Sequence, residues 1–151
     1  MTKIEVERAG AAETAAIAEL VHALLDELSG GKAAAPETMA RTAETVLADA
    51  RIVAFLARAG GAPVGALMLN EAAAIYAGGR FGVITELYVK PAFRSAGVAA
   101  LLVEAAMAEA RSRGWGRVEV GAPAQPQWAR TLRFYLRNGF AEIGPRLRRM
   151  V

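Results

Sequence analysis

The residue types best suited to chemistry lie between Thr85 and Leu102, in T-E-L-Y-V-K-P-A-F-R-S-A-G-V-A-A-L-L. An apolar strand runs into Pro91, and a short loop then carries Arg94, Gly97 and Ala99 into an amphipathic helix. The first N–H groups of a helix lack partners within it, and the macrodipole favours negative charge there. Gly97 lets a ligand reach the backbone without meeting a side chain. The chemistry is that of an anion site, and a phosphate meets its requirements.

Other elements must hold this loop in place. Ile4 and Val6 alternate with Glu5 and Glu7, which predicts a short strand with one buried face. Ala11 to Leu28 has helical period, with Ile17, Leu20, Val21, Leu24, Leu25 and Leu28 on one stripe and Ser29-Gly30-Gly31 as the stop. His22 lies beside that stripe with no ligand or nucleophile partner in the sequence, and reads as structural. Pro36 starts a second helix that ends near Asp49. Ile52 to Arg58 and Val64 to Leu69 read as a hairpin of buried strands, and Asn70 to Arg80 as a connection with a turn at Gly78-Gly79.

Phe81 to Val89 is the expected central strand. The helix after the loop directs Val98, Leu101, Leu102, Ala105 and Ala108 to the core and stops at Gly114. Arg117 to Val120 is a short strand, G-A-P-A-Q-P a loop, and Trp128 to Arg137 a helix ended by Asn138-Gly139. Phe140 to Ile143 and Leu147 to Val151 are expected closing strands, which completes an α/β layout with a mixed sheet.

A chain of 151 residues with 54% hydrophobic content matches a single domain, 1–151. It has no cysteine, which excludes disulfides, thiolate metal sites and a cysteine acyl intermediate and favours direct transfer for any acyl chemistry. No leader pattern and no apolar run of membrane-spanning length occurs, so a soluble, cytoplasmic protein is expected. The net charge of +3 is modest; Arg146, Arg148 and Arg149 read as a solvated tail rather than a nucleic-acid interface.

Arg94, Gly97 and Ala99 form R-x-x-G-x-A, which resembles the acetyl-coenzyme A signature of the GCN5-related N-acetyltransferases, the GNAT family. A second segment, R-F-Y-L-R-N-G-F from Arg133 to Phe140, resembles the family's F-Y-x-x-x-G-F in the last helix and turn. The resemblance covers roughly 52–143. It implies a mixed, mostly antiparallel sheet of six to seven strands with about four helices, the central strands splayed at the cofactor site.

It further implies that amides of Arg94, Ser95, Ala96, Gly97, Val98 and Ala99 hold the pyrophosphate of acetyl-coenzyme A, with Arg94 adding charge. Backbone along Leu87, Tyr88 and Val89 would pair with pantetheine, and an N–H there would polarise the thioester carbonyl. Tyr135 matches the tyrosine proposed to protonate the departing thiolate; the alternative is an aromatic packed between helix and sheet. Glu86 stands where an acidic group often faces the acceptor, as a base acting through water or as a surface residue. An alkylammonium of pKa ~10.4 is mostly charged at pH 7, an obstacle of about 4–5 kcal/mol that a base or relay removes. Glu71 and Tyr76 are further acceptor-side candidates.

Two departures stand out. Ser95 occupies a position that is often Gly in the family, and Trp128 replaces a common cofactor-contacting asparagine. The implied activity is N-acetylation of a primary amine of a small molecule or peptide, with acetyl-coenzyme A as co-substrate and no metal. A non-catalytic acyl-coenzyme A binding or sensor module is the alternative, and a protein or aminoacyl-tRNA amine the alternative acceptor. A homodimer is the expected assembly. The acceptor pocket is expected from the first two helices, Asn70 to Arg80 and Gly121 to Pro126.

Overall fold

The computed structural model describes residues 2–151. Five strands form one sheet in the order β1-β2-β3-β4-β5: β1 (Ile4–Arg8), β2 (Ile52–Ala59), β3 (Ala62–Ala74), β4 (Gly79–Val89) and β5 (Val118–Val120). The first four pair antiparallel, and β5 joins β4 in parallel. The helices are α1 (Thr14–Ser29), α2 (Pro36–Leu47), α3 (Val98–Arg113) and α4 (Ala129–Arg137). Strict alternation along β2 sends Val53, Phe55 and Ala57 into one buried cluster with α3 and Ala54 and Leu56 into another with α1.

Five strands stand against the expected six to seven. Residues after Gly139 form no regular structure, and Ile143, Leu147, Met150 and Val151 are exposed, so neither Phe140–Ile143 nor Leu147–Val151 is a strand. Pro145 has no N–H to give a ladder, and three arginines surround the few apolar residues, leaving no face to bury. The Asn70–Arg80 segment differs in the other direction. Asn70 to Ala74 pair with Val83 to Gly79, so β3 and β4 continue into a hairpin whose alanines carry little strand preference of their own.

In α3 the buried positions are Val98, Leu102, Val103, Ala106 and Ala110, and Leu101 and Ala108 are exposed. The core stripe follows i+4 steps rather than the expected i+3, i+4 alternation, and small alanines bring the helix close to the sheet. Gly65 helps at the N-terminal end. A Cβ there would lie 3.3 Å from both Val98 and Leu102 and 3.0 Å from the Tyr88 carbonyl oxygen. Its absence lets the first turns of α3 settle against β3 beside the end of β4.

Candidate active-site cleft

The site begins with a bulge. Ile84 pairs with Leu69 and Glu86 with Met68, so Thr85 is an extra residue in β4. Its consequence is a change of parity. The Gly82 N–H donates to the Arg117 carbonyl on the β5 side, whereas beyond the bulge the Lys90 N–H donates to Val64 of β3. By alternation, the N–H and C=O groups of Leu87 and Val89 face the β5 side. The register of β5 ends at Ile84 with Val120, so no strand covers them. The two parallel strands part at this point.

The loop at the end of β4 supplies the second wall. Leu101 N–H donates to Gly97, but the amides of Ser95 to Ala100 reach no backbone acceptor among the described residues. These are the bare donors of a helix N-terminus. Gly97 sits at φ 80°, and open space lies where its Cβ would be, so glycine is there for conformation and approach rather than packing. Ser95 also has positive φ, 70°, a conformation costing a non-glycine residue about 1–2 kcal/mol. That accounts for a position where glycine would sit without strain.

Arg94 is placed differently from a free phosphate ligand. Its Nε donates to the Val89 carbonyl at 2.9 Å, and its two terminal nitrogens donate to Glu27 of α1 at 3.0 and 2.8 Å. The guanidinium carbon lies 5.4 Å from the centroid of the Tyr88 ring. Three of five donors are used, and the charge is matched by a carboxylate. The Val89 carbonyl is thereby occupied, leaving the Val89 N–H and both groups of Leu87 at the open edge.

α4 closes the third side. Tyr135 is 6% exposed, flanked edge-on by Phe134 and Phe140 with ring centroids 5.4 Å away in each case. Its hydroxyl has no hydrogen-bond partner among the described residues, and burial pushes its pKa up to about 12. The phenol therefore keeps its proton at neutral pH. Glu86 shares the Tyr88 face of β4, half-buried, and the Thr85 hydroxyl donates to its Oε1.

These groups line one cleft of about 930 Å³. The expected catalytic and cofactor-binding residues border it except Ala96: Tyr135, Glu86, Leu87, Tyr88, Val89, Arg94, Ser95, Gly97, Val98 and Ala99, whereas the acceptor-side candidates Glu71 and Tyr76 do not. The sequence reading missed Glu27, Leu24 and Leu28 of α1, which line the same space. Leu24 and Leu28 carried a signal, since their stripe runs past the buried Ile17, Leu20 and Val21. Trp128 and Gly121 also border the cleft, but no α2 residue and none of 70–80 does.

Glu71 is engaged elsewhere. It accepts from Trp115 Nε1 at 2.9 Å and pairs with Arg80 and Arg113, and the Trp115 hydrogen bond, with these cations, lowers its pKa. Tyr76 donates to Glu119 at 3.1 Å and lies under Arg117, 5.2 Å from the ring centroid. Both are structural, away from the cleft. Among the described residues, no group of three or more His, Cys, Asp or Glu could hold a metal, and no helix is long and apolar enough to cross a membrane.

A family model described as the acetyltransferase (GNAT) family matches residues 17–140. Solved structures share the fold at low identity. A ribosomal-protein-alanine N-acetyltransferase from Brucella melitensis is 21% identical with a TM-score of 0.76, covering 98% of this chain and 100% of its own. A transcriptional regulator from Bacillus halodurans is 18% identical with a TM-score of 0.82, covering 99% and 100%. The aminoglycoside N-acetyltransferase AAC(6')-Iy in complex with CoA is 16% identical with a TM-score of 0.77, covering 100% and 96%. A search of curated protein sequences found no match.

Proposed function

We propose that this chain, which belongs to the GNAT family of acetyltransferases, moves an acetyl group from acetyl-coenzyme A to a primary amine of a small molecule or peptide by direct attack. One observation carries the reading. A single cleft joins the uncovered edge of β4, the bare amides at the start of α3 and Tyr135. A thioester on a pantetheine arm with a pyrophosphate needs an extended hydrogen-bonding edge, an anion cradle and a donor near sulfur, and these residues fit that need.

In this reading the amides of Ser95 to Ala100 hold the pyrophosphate. The free groups of Leu87 and the Val89 N–H align the pantetheine, and one of these amides polarises the thioester carbonyl. The donor supplies an activated acetyl group. Glu86 takes the ammonium proton through water, so a neutral amine attacks, and the second proton that the nitrogen sheds as the C–S bond breaks ends on the departing sulfur. Tyr135 gives a hydrogen bond to the departing sulfur. Because its pKa is about 12, well above the ~8.5 of a thiol, it stabilises the thiolate chiefly as a donor rather than by surrendering its proton outright.

A second reading, a non-catalytic acyl-coenzyme A binding or sensor module, draws support from Trp128, which borders the cleft where the family commonly has asparagine. Thiol release measured over a panel of amines, including aminoglycosides and N-terminal peptides, separates the two. Turnover with an amine and loss of it in Tyr135→Phe supports the enzyme. Binding of acetyl-coenzyme A with no acetylation across the panel supports the module.

A further inference from the structure

We propose that Arg130, Arg133 and Arg137, a stripe on α4 at the rim of the cleft, hold the ribose 3′-phosphate of the donor coenzyme. This rests on the donor reading above. Spacings of three and four put the three arginines on one face of the helix. All three are exposed and border the cleft that contains the bare amides of the loop.

Their charge is unmatched. Arg8, Arg51, Arg58, Arg80, Arg94, Arg113 and Arg117 each pair with an Asp or Glu. Arg130, Arg133 and Arg137 have no carboxylate partner and no side-chain hydrogen bond among the described residues. Like charges three and four apart oppose helix formation, so the stripe gains from an anion that bridges them. Arg146, likewise without a carboxylate, lies against Gly121 of the cleft lining and adds to the positive field.

The donor has two anionic groups, a pyrophosphate and a ribose phosphate monoester, the latter carrying about −1.5 to −2 charge at pH 7. The signature arginine does not supply the cation, because Glu27 already holds Arg94. Amides of the loop suit the pyrophosphate, and the monoester requires cations outside the loop. Planar, forked donors that match phosphate geometry stand on the neighbouring wall.

Calorimetric titration of the full chain with coenzyme A and with its 3′-dephospho form tests this, in the parent and in the triple variant Arg130→Gln, Arg133→Gln, Arg137→Gln. Glutamine keeps helix preference, and circular dichroism confirms that α4 persists. The parent is expected to prefer coenzyme A by about tenfold or more, the scale of one charged hydrogen-bond set. The triple variant is expected to lose most of that preference through weaker coenzyme A binding and to show a shallower salt dependence, while Arg111→Gln on α3 behaves as the parent. Equal loss of both ligands, or unchanged preference, overturns the stripe while leaving the donor reading intact. A change confined to the acceptor's KM overturns it in favour of an anionic acceptor. A parent that binds neither ligand overturns both proposals.

Discussion

Glu27 holds both terminal nitrogens of Arg94, at 3.0 and 2.8 Å, and so joins α1 to the loop that starts α3 across 67 positions of sequence. The pair is partly solvated, with side chains 34% and 41% exposed, so its worth to stability is small. Its larger effect is on charge, because it withdraws the signature arginine from any anion in the cleft.

Replacing Glu27 by Gln is therefore expected to cost less than about 1 kcal/mol in denaturant unfolding. The same change leaves Arg94 tethered to the Val89 carbonyl with its charge unmatched. Coenzyme A should bind about two- to fivefold more tightly by titration, with the salt dependence increased. Weaker binding would show instead that Glu27 serves to hold the loop in shape.

Tyr135→Phe removes a hydroxyl with no protein partner from a packed aromatic group, so stability at pH 7 should change by less than about 1 kcal/mol. Turnover should fall at least about 100-fold, the lower end for a positioned acid or donor. The pH dependence has a definite sign. The unfolded phenol titrates near its ordinary 10.0 and the folded one near 12, so the stability tied to its proton is complete below pH 10 and is lost between 10 and 12. The parent's unfolding energy minus the variant's should be flat to pH 10 and fall above it, so that the parent becomes the less stable of the two.

Glu86→Gln should lower kcat/KM at pH 7 by about 10²-fold with a primary amine. The deficit should shrink as pH rises toward the amine's ~10.4, where the nucleophile is already neutral. A deficit independent of pH would assign Glu86 to acceptor binding, and no deficit would leave it as a surface carboxylate.

Gly82→Ala tests how the sheet carries the site. A Cβ there would lie 2.5 and 2.7 Å from carbons of the Trp115 ring, which is held in turn by its N–H to Glu71. Overpacking of this kind costs about 1–3 kcal/mol, visible as a lower denaturation midpoint with unchanged slope.

Much of the cleft's local geometry was legible because it is set by short stretches. The turn from β4 through Gly97 into α3 and the aromatic segment of α4 are short stretches whose residue types dictate their geometry. Pairings made at long range were not legible. Nothing near Glu27 signals Arg94, and nothing in N-E-A-A-A signals that β3 would extend to Ala74 by pairing with β4. Glu71 looked like a free acid on a connection, and its capture depends on Arg80 of the paired strand and on Arg113 and Trp115 at the end of α3. The closing strands failed for the opposite reason. Apolar residues were counted there, but Gly144, Pro145 and the arginines leave them no partner surface.

The most direct test of the account is a coupled assay of the full chain with acetyl-coenzyme A and a panel of primary amines, following free thiol and N-acetylated product by mass spectrometry in the same samples. Thiol and product should appear in equal amounts with at least one amine, and Tyr135→Phe should depress both together. Acetyl-coenzyme A that binds the cleft while every amine in the panel stays unmodified would contradict the account.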